Sequence, residues 1–146
     1  MKGLGTKEEV LVELLITHSS EQLAQIKQIY QEMFHKNLEK DIITETSGNF
    51  QKYLVALLNT KRPNNNLVDK AQAQMDSQNL LNAGVKRWAN DEKTFIEIFC
   101  SKSFSQTRAI LHEYKVQSGH SIDEDIKKEL SGDLLKCFKT ICKYLI

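Results

Sequence analysis

Apolar side chains recur every three or four positions along most of the chain, which is the spacing of one face of an α-helix. Residues 10–15 begin the first such stripe, and residues 23–34 carry a longer one. Ser19 followed by Gln22 is typical of a helix start in which side chain and backbone cap each other. The pattern also predicts a short helix near residues 38–44 and another that opens at Ser47.

The helical pattern repeats. Sliding the sequence against itself by 84 residues keeps one register without a gap, and it aligns Glu8 with Glu92, Tyr30 with Tyr114, Asp41 with Asp125, Glu45 with Glu129, and Gly48 with Gly132. Self-similarity at a fixed period indicates two copies of one supersecondary unit. The sequence therefore predicts an all-α protein built from two helical repeats.

The boundary between the copies is expected at residues 61–66, a polar stretch that contains the single proline, Pro63. Proline and asparagine are typical of connecting segments. We therefore predict one unit at residues 1–60, a linker at 61–66 and a second unit at 67–146.

Charge and hydropathy restrict the function. The chain has 20 Lys and Arg against 19 Asp and Glu, a net charge of +1, so we expect no general attraction to nucleic acid or to a membrane. No apolar run approaches the roughly 18 residues that span a bilayer, and the first residues lack the pattern of a signal peptide. A cytoplasmic protein is expected.

Catalytic and metal-binding side chains show no recognisable grouping. The three cysteines lie in no CxxC or Cys/His spacing, so reduced thiols are expected, with Cys100 in the core. The four histidines are dispersed, and no Ser/His/Asp or Cys/His set is visible. The sequence therefore predicts a binding protein rather than an enzyme.

One motif does suggest chemistry. Residues 1–6 read M-K-G-L-G-T, and an acid, Glu45, follows about forty positions later. Glycine permits a turn in which successive carbonyl oxygens point inward. Such carbonyls with one bidentate carboxylate would supply about five of the six to eight oxygens that calcium takes, which leaves room for water or a ligand.

These residues resemble the type II calcium-binding motif of the annexins, M-K-G-x-G-T followed by a distant Asp or Glu. The resemblance implies that the carbonyls of Met1, Gly3 and Gly5 and the carboxylate of Glu45 bind calcium. It also implies two annexin-type repeats, the first with helices B to E and the second with helices A to E, similar to repeats two and three of a four-repeat annexin.

The second unit resembles the same motif less closely. Here Ala89 and Asn90 stand where the annexin pattern has Gly-Thr. Backbone oxygens exist whatever the side chain, so the resemblance implies a second calcium site at Gly84, Arg87, Ala89 and Glu129. Alanine resists the positive φ that such a loop can require, and the first site is expected to be the stronger.

Three further roles follow from the resemblance. Thr6 and Glu8 match a weak secondary calcium site, although helix capping explains them equally well. Leu4 and Trp88 are expected to contact the membrane from the two loops. Trp88 lies among polar and basic residues, so it is expected at the membrane interface, with packing over Lys86 or a helix end as the alternative.

The function implied is calcium-dependent, peripheral binding to anionic phospholipid, with calcium as the cofactor and attachment when calcium rises. The alternative is a calcium-independent helical adaptor that binds protein partners or associates with itself through the first repeat. The absence of a first helix A favours that alternative, because it is expected to leave Leu14, Leu15 and Leu54 partly uncovered and exposed apolar patches attract partners.

Overall fold

The computed structural model describes residues 8–146, which form helices and connecting segments with no β-strand in that range. The first unit consists of α1 (Glu8–Thr17), α2 (Ser20–Phe34), α3 (Leu38–Glu45) and α4 (Gly48–Asn59). The second consists of α5 (Lys70–Ala83), α6 (Val85–Trp88), α7 (Glu92–Phe95) with a π-helical continuation (Ile96–Cys100), α8 (Phe104–Ser118), α9 (Ile122–Glu129) and α10 (Gly132–Leu145). The prediction of an all-α fold with repeated helices is confirmed.

The 84-residue shift holds in three dimensions. It superimposes the bounds of α2 on those of α8 and the bounds of α3 on those of α9. Each unit ties these two helices together with the same hydrogen bond, in which Tyr30 donates to Asp41 and Tyr114 to Asp125. Burial and this hydrogen bond raise the pKa of Tyr30 to about 12, so the tyrosine remains a donor at neutral pH.

Local sequence sets the helix starts. Ser19 accepts from the backbone of Gln22, and the Gln22 side chain accepts from the backbone of Ser19, which completes the predicted capping box. Ser103 caps α8 in the equivalent place by accepting from the Gln106 backbone. Such caps satisfy amide groups that the first turn of a helix leaves without partners.

The two units share one core because each packs a helix against the last helix of the other. In the first unit α1 lies against α10, and in the second α7 and its π-helical continuation lie against α4. Five aromatic residues fill the junction, and none is more than 2% exposed: Tyr53, Trp88, Phe95, Phe99 and Phe138. Tyr53 stacks on Phe95 with ring centroids 4.0 Å apart.

This reciprocal packing corrects one expectation from the sequence. Leu15 and Leu54 are 3% and 0% exposed, so neither is left uncovered; of the three leucines, only Leu14 is half-buried. The reason is that α10 of the second unit packs against α1 and α4, and the Tyr144 hydroxyl on α10 donates to Glu13.

The segment between α4 and α5 is held at Arg62. Its guanidinium donates to the carbonyls of Phe99 and Lys102 and lies 4.2 Å from the centroid of the Phe104 ring. Its backbone amide donates to Ser20 of the first unit. This polar connection contacts both units; the boundary at residues 61–66 stays a prediction.

All three thiols are buried, and for Cys100 the sequence predicted this. Burial raises the pKa of Cys100 and of Cys142 to about 12, and that of Cys137 further. The thiolate is the reactive form of cysteine, so these three residues are chemically inert at neutral pH.

Candidate functional site

The two acids of the predicted sites occupy equivalent places. Glu45 is the last residue of α3 and Glu129 the last of α9, and each is followed by a short turn into the final helix of its unit. Both turns end in a glycine with positive φ, 62° at Gly48 and 61° at Gly132. L-residues other than glycine are strained there, which explains the repeated Ser-Gly pair.

The second loop, residues 84–91, lies beside Glu129 but is closed by its own hydrogen bonds. The Gly84 carbonyl accepts from the amides of Arg87 and Trp88, both at 3.1 Å. The Arg87 carbonyl accepts from the Asn90 amide at 3.3 Å. These bonds form the short helix α6, which the sequence pattern did not predict.

The third carbonyl of this loop is also engaged. The Tyr53 hydroxyl of the first unit donates to the Ala89 carbonyl at 2.6 Å, in a buried position. Burial raises the pKa of Tyr53 to about 12, so this donor is present at physiological pH. Close by, Asn49 donates to the Asn90 side chain at 3.2 Å.

Tyr53 and Asn49 are residues that sequence reasoning missed. They lie 36 and 41 positions from their partners, and no local motif marks them. Only the packing of α4 against the second unit brings them to the loop.

The carboxylate of the second site has a partner as well. Lys86 Nζ lies 3.8 Å from Glu129 Oε2, and the two side chains are 78% and 37% exposed. An exposed ion pair of this kind contributes at most about 1 kcal/mol, so a divalent cation would displace the lysine at little cost. The hydrogen-bonded carbonyls are the larger obstacle.

The calcium site at the second loop therefore stays a prediction. Oxygen donors of the right type are present, but Gly84, Arg87 and Ala89 direct their carbonyls to protein donors and Glu129 faces Lys86. Ala89 has φ −70°, so its backbone does not adopt a positive-φ turn. Calcium binding here would require α6 to open.

Trp88 is buried in this structure, and its contact with a membrane stays a prediction. The indole is 2% exposed and packs against Phe99 and Phe138 at centroid distances of 5.9 and 5.4 Å. It lies at the end of α6 rather than at a membrane-facing surface, because the aromatic junction of the two units offers it an apolar pocket. Contact between Trp88 and lipid would require this pocket to open.

The burial of Trp88 gives a direct prediction. In calcium-free buffer its fluorescence should have the short-wavelength maximum of an apolar site and be quenched weakly by acrylamide, since the ring is shielded on all sides. Urea unfolding should shift the maximum to longer wavelength and increase quenching. An emission maximum in native protein equal to that of the urea-unfolded chain would contradict the packing.

The first loop is not among the described residues. Met1, Gly3, Leu4, Gly5 and Thr6 lie outside residues 8–146, so the strong calcium site and the Leu4 membrane contact stay predictions.

Of the residues predicted to bind calcium together with that loop, Glu45 lies at the end of α3 and Glu8 at the start of α1. The weak secondary site at Thr6 and Glu8 is equally untested.

Two further features were not found among residues 8–146. No group of three or more His, Cys, Asp or Glu side chains in this range is placed to hold a metal ion. No helix among these residues is long and apolar enough to cross a bilayer.

Comparison with known proteins identifies the architecture. A sequence model of the family described as Annexin matches residues 1–57 and 75–141. The chain is 42% identical over 143 residues to human annexin A13 and 40% identical to mouse annexin A5. Each alignment covers 98% of this chain and 45% of the relative, so the chain spans about half the length of the curated relatives it matches.

A solved structure agrees. Chicken annexin V in complex with Zn²⁺ matches with a TM-score of 0.83 and 40% identity, covering 97% of this chain and 44% of that one. Both the helices and their arrangement therefore correspond to part of a known fold.

Proposed function

Because this chain belongs to the annexin family, we propose that it binds anionic phospholipid membranes peripherally in response to calcium. The observation that carries the proposal is the family match, since it extends over residues 1–57 and 75–141 and so includes both loop and acid of the first site and the acid of the second. A net charge of +1 gives the chain no strong attraction of its own for lipid.

In this proposal the first loop is the main site. The carbonyls of Met1, Gly3 and Gly5 and the carboxylate of Glu45 would hold calcium, whose charge would bridge the carboxylate to a lipid phosphate. Neutral carbonyls and one carboxylate gather little negative charge, so affinity for calcium alone should be weak. Lipid and calcium should then raise each other's affinity by the same factor.

The residues of the two loops determine which site is expected to bind calcium more tightly. The first loop has both glycines of the motif, which allow its carbonyls to turn inward. In the second, the carbonyls already accept hydrogen bonds from Tyr53 and within α6, and calcium has to compete with those hydrogen bonds. We expect the second loop to contribute only after the first has attached the chain to the surface, when its effective concentration is high.

The test is sedimentation with vesicles. The 146-residue chain should pellet with phosphatidylserine vesicles when calcium is present and remain in solution with a calcium chelator or with phosphatidylcholine vesicles. The calcium concentration at half-binding should fall as the phosphatidylserine fraction rises. Equal pelleting with and without calcium would overturn the proposal.

A further inference from the structure

Two side chains of the first unit contact the second loop. Tyr53 and Asn49 lie four residues apart on α4, so they share one face of that helix. The Tyr53 hydroxyl donates to the Ala89 carbonyl at 2.6 Å. The Asn49 amide donates to the Asn90 side chain at 3.2 Å. We call Tyr53 and Asn49 the α4 clamp, since together they contact two consecutive residues of the loop.

Tyr53 is the stronger member of the α4 clamp. Its hydrogen bond is buried, whereas the bond between Asn49 and Asn90 is exposed. Water replaces an exposed hydrogen bond at little cost, but a buried carbonyl that loses its donor is left without a partner. Opening the clamp therefore means, above all, separating Tyr53 from Ala89.

The aromatic core does not explain the hydroxyl of Tyr53. The residue is 0% exposed, and its ring stacks on Phe95 and meets Phe138 edge to face. A phenylalanine ring would make the same contacts, and a buried hydroxyl is unfavourable unless it is hydrogen-bonded. Among residues 8–146 its acceptor is the Ala89 carbonyl. The hydroxyl is therefore accounted for by the loop.

The α4 clamp is a feature of the first unit and not of the repeat. Under the 84-residue shift Tyr53 corresponds to Cys137, and Asn49 corresponds to Asp133, both on α10. A thiol is a weak donor, and an ionised carboxylate is no donor at all. The repeated architecture thus does not require a phenol at this position, so its role concerns the second loop in particular.

We propose that Tyr53 sets the metal affinity of the second loop. This inference rests on the proposed function, because Ala89 is one of the residues predicted to bind calcium there. The hydrogen bond that its carbonyl accepts is buried in the junction of the two units, whereas a calcium ion that also takes a lipid phosphate oxygen has to lie at the surface. The Ala89 carbonyl must therefore leave Tyr53 before it can bind such an ion.

The hydroxyl and the metal ion thus favour two different states of the loop. In the closed state Ala89 accepts from Tyr53, and in the open state its carbonyl is available to the metal. A ligand shifts such an equilibrium according to its difference in affinity for the two states. Removing the hydroxyl should favour the open state and so tighten metal binding. By linkage, metal bound at this loop should weaken the contact between α4 and the second unit.

The experiment is a terbium titration of the 146-residue chain without lipid. Terbium occupies oxygen-ligand calcium sites, and a nearby indole sensitises its luminescence; Trp88, the single tryptophan, is next to Ala89 in the chain. Every variant also carries Glu45→Gln, which weakens the first site. Tyr53→Phe should lower the terbium concentration at half-saturation by about three- to ten-fold, the factor that corresponds to one net hydrogen bond.

Tyr144→Phe is the matched control. It also removes a phenol hydroxyl that joins the two units, but this hydroxyl donates to Glu13 on α1 rather than to the loop. The control should leave the half-saturating terbium concentration unchanged. Urea unfolding followed by circular dichroism compares the stability of the two variants, so that a general loosening of the junction is separated from an effect on the loop.

A double variant assigns the signal to the second loop. Adding Glu129→Gln to Tyr53→Phe should remove the gain in terbium affinity, since both residues then act on one site. An unchanged half-saturation in Tyr53→Phe, an equal gain in Tyr144→Phe, a gain that survives Glu129→Gln, or the absence of a sensitised signal in all variants would each overturn the inference.

The result is independent of membrane binding, because the titration contains no lipid. A chain that fails to pellet with vesicles in calcium but gains terbium affinity in Tyr53→Phe would overturn the proposed function and leave the role of Tyr53 standing. A chain that pellets as proposed, with no effect of Tyr53→Phe on terbium binding, would do the opposite.

Discussion

Replacing Glu45 with glutamine is expected to raise the calcium concentration needed for half-maximal binding to phosphatidylserine vesicles by on the order of ten-fold or more. The affinity of an oxygen-ligand calcium site follows the charge of its ligands, and Glu45 is the one carboxylate in the proposed first site. Glu129→Gln should raise the same midpoint much less. Isothermal calorimetry with vesicles and calcium would measure both variants under identical conditions.

The difference between the two variants follows from the second loop. Its carbonyls are held by Tyr53 and by the turns of α6, and Glu129 already faces Lys86 at 3.8 Å. Removing a carboxylate from a loop that must first open should therefore raise the calcium concentration at half-maximal binding less than removing it from a loop with both glycines. Equal losses would contradict the expected ranking, and a larger loss for Glu129→Gln would show that the second loop is the stronger site.

Phe138→Ala should lower the free energy of unfolding by about 3 to 5 kcal/mol, the range for emptying a large buried aromatic site. Phe138 on α10 is 0% exposed, and its ring contacts Tyr53 of the first unit and three aromatic rings of the second. Phe34→Ala is the control, since that ring is 46% exposed, and it should cost under about 1 kcal/mol.

Urea unfolding followed by circular dichroism and by Trp88 fluorescence would provide the measurement. Because Phe138 joins the units, both signals should shift to lower urea together. If only the fluorescence midpoint shifts while most of the helical signal keeps its wild-type midpoint, the two units unfold separately. The shared core would then not be what stabilises the first unit.

Much of the fold could be predicted because it is encoded locally. The capping box at Ser19, the glycine after α5 and the 3.6-residue period of apolar positions each act within a few residues along the chain. The 84-residue repeat then indicated the number of units, since similar sequences fold into similar helices. These features required no knowledge of tertiary contacts.

One prediction was wrong. Leu15 and Leu54 were expected to be uncovered, but both are buried. The helices that carry them, α1 and α4, pack against α10 of the second unit, and a helical period states which side chains share a face but not what is packed against it.

The sequence by itself determined the helices, their repetition, the family and the two loops with their distant acids, because these depend on residue type and spacing along the chain. Only the tertiary structure decided the hydrogen bonds of the second loop and the burial of Trp88. Those depend on contacts such as Tyr53 with Ala89, between residues far apart in sequence. The free energy of such contacts is set by which surfaces meet, and that is fixed only when the two units pack together.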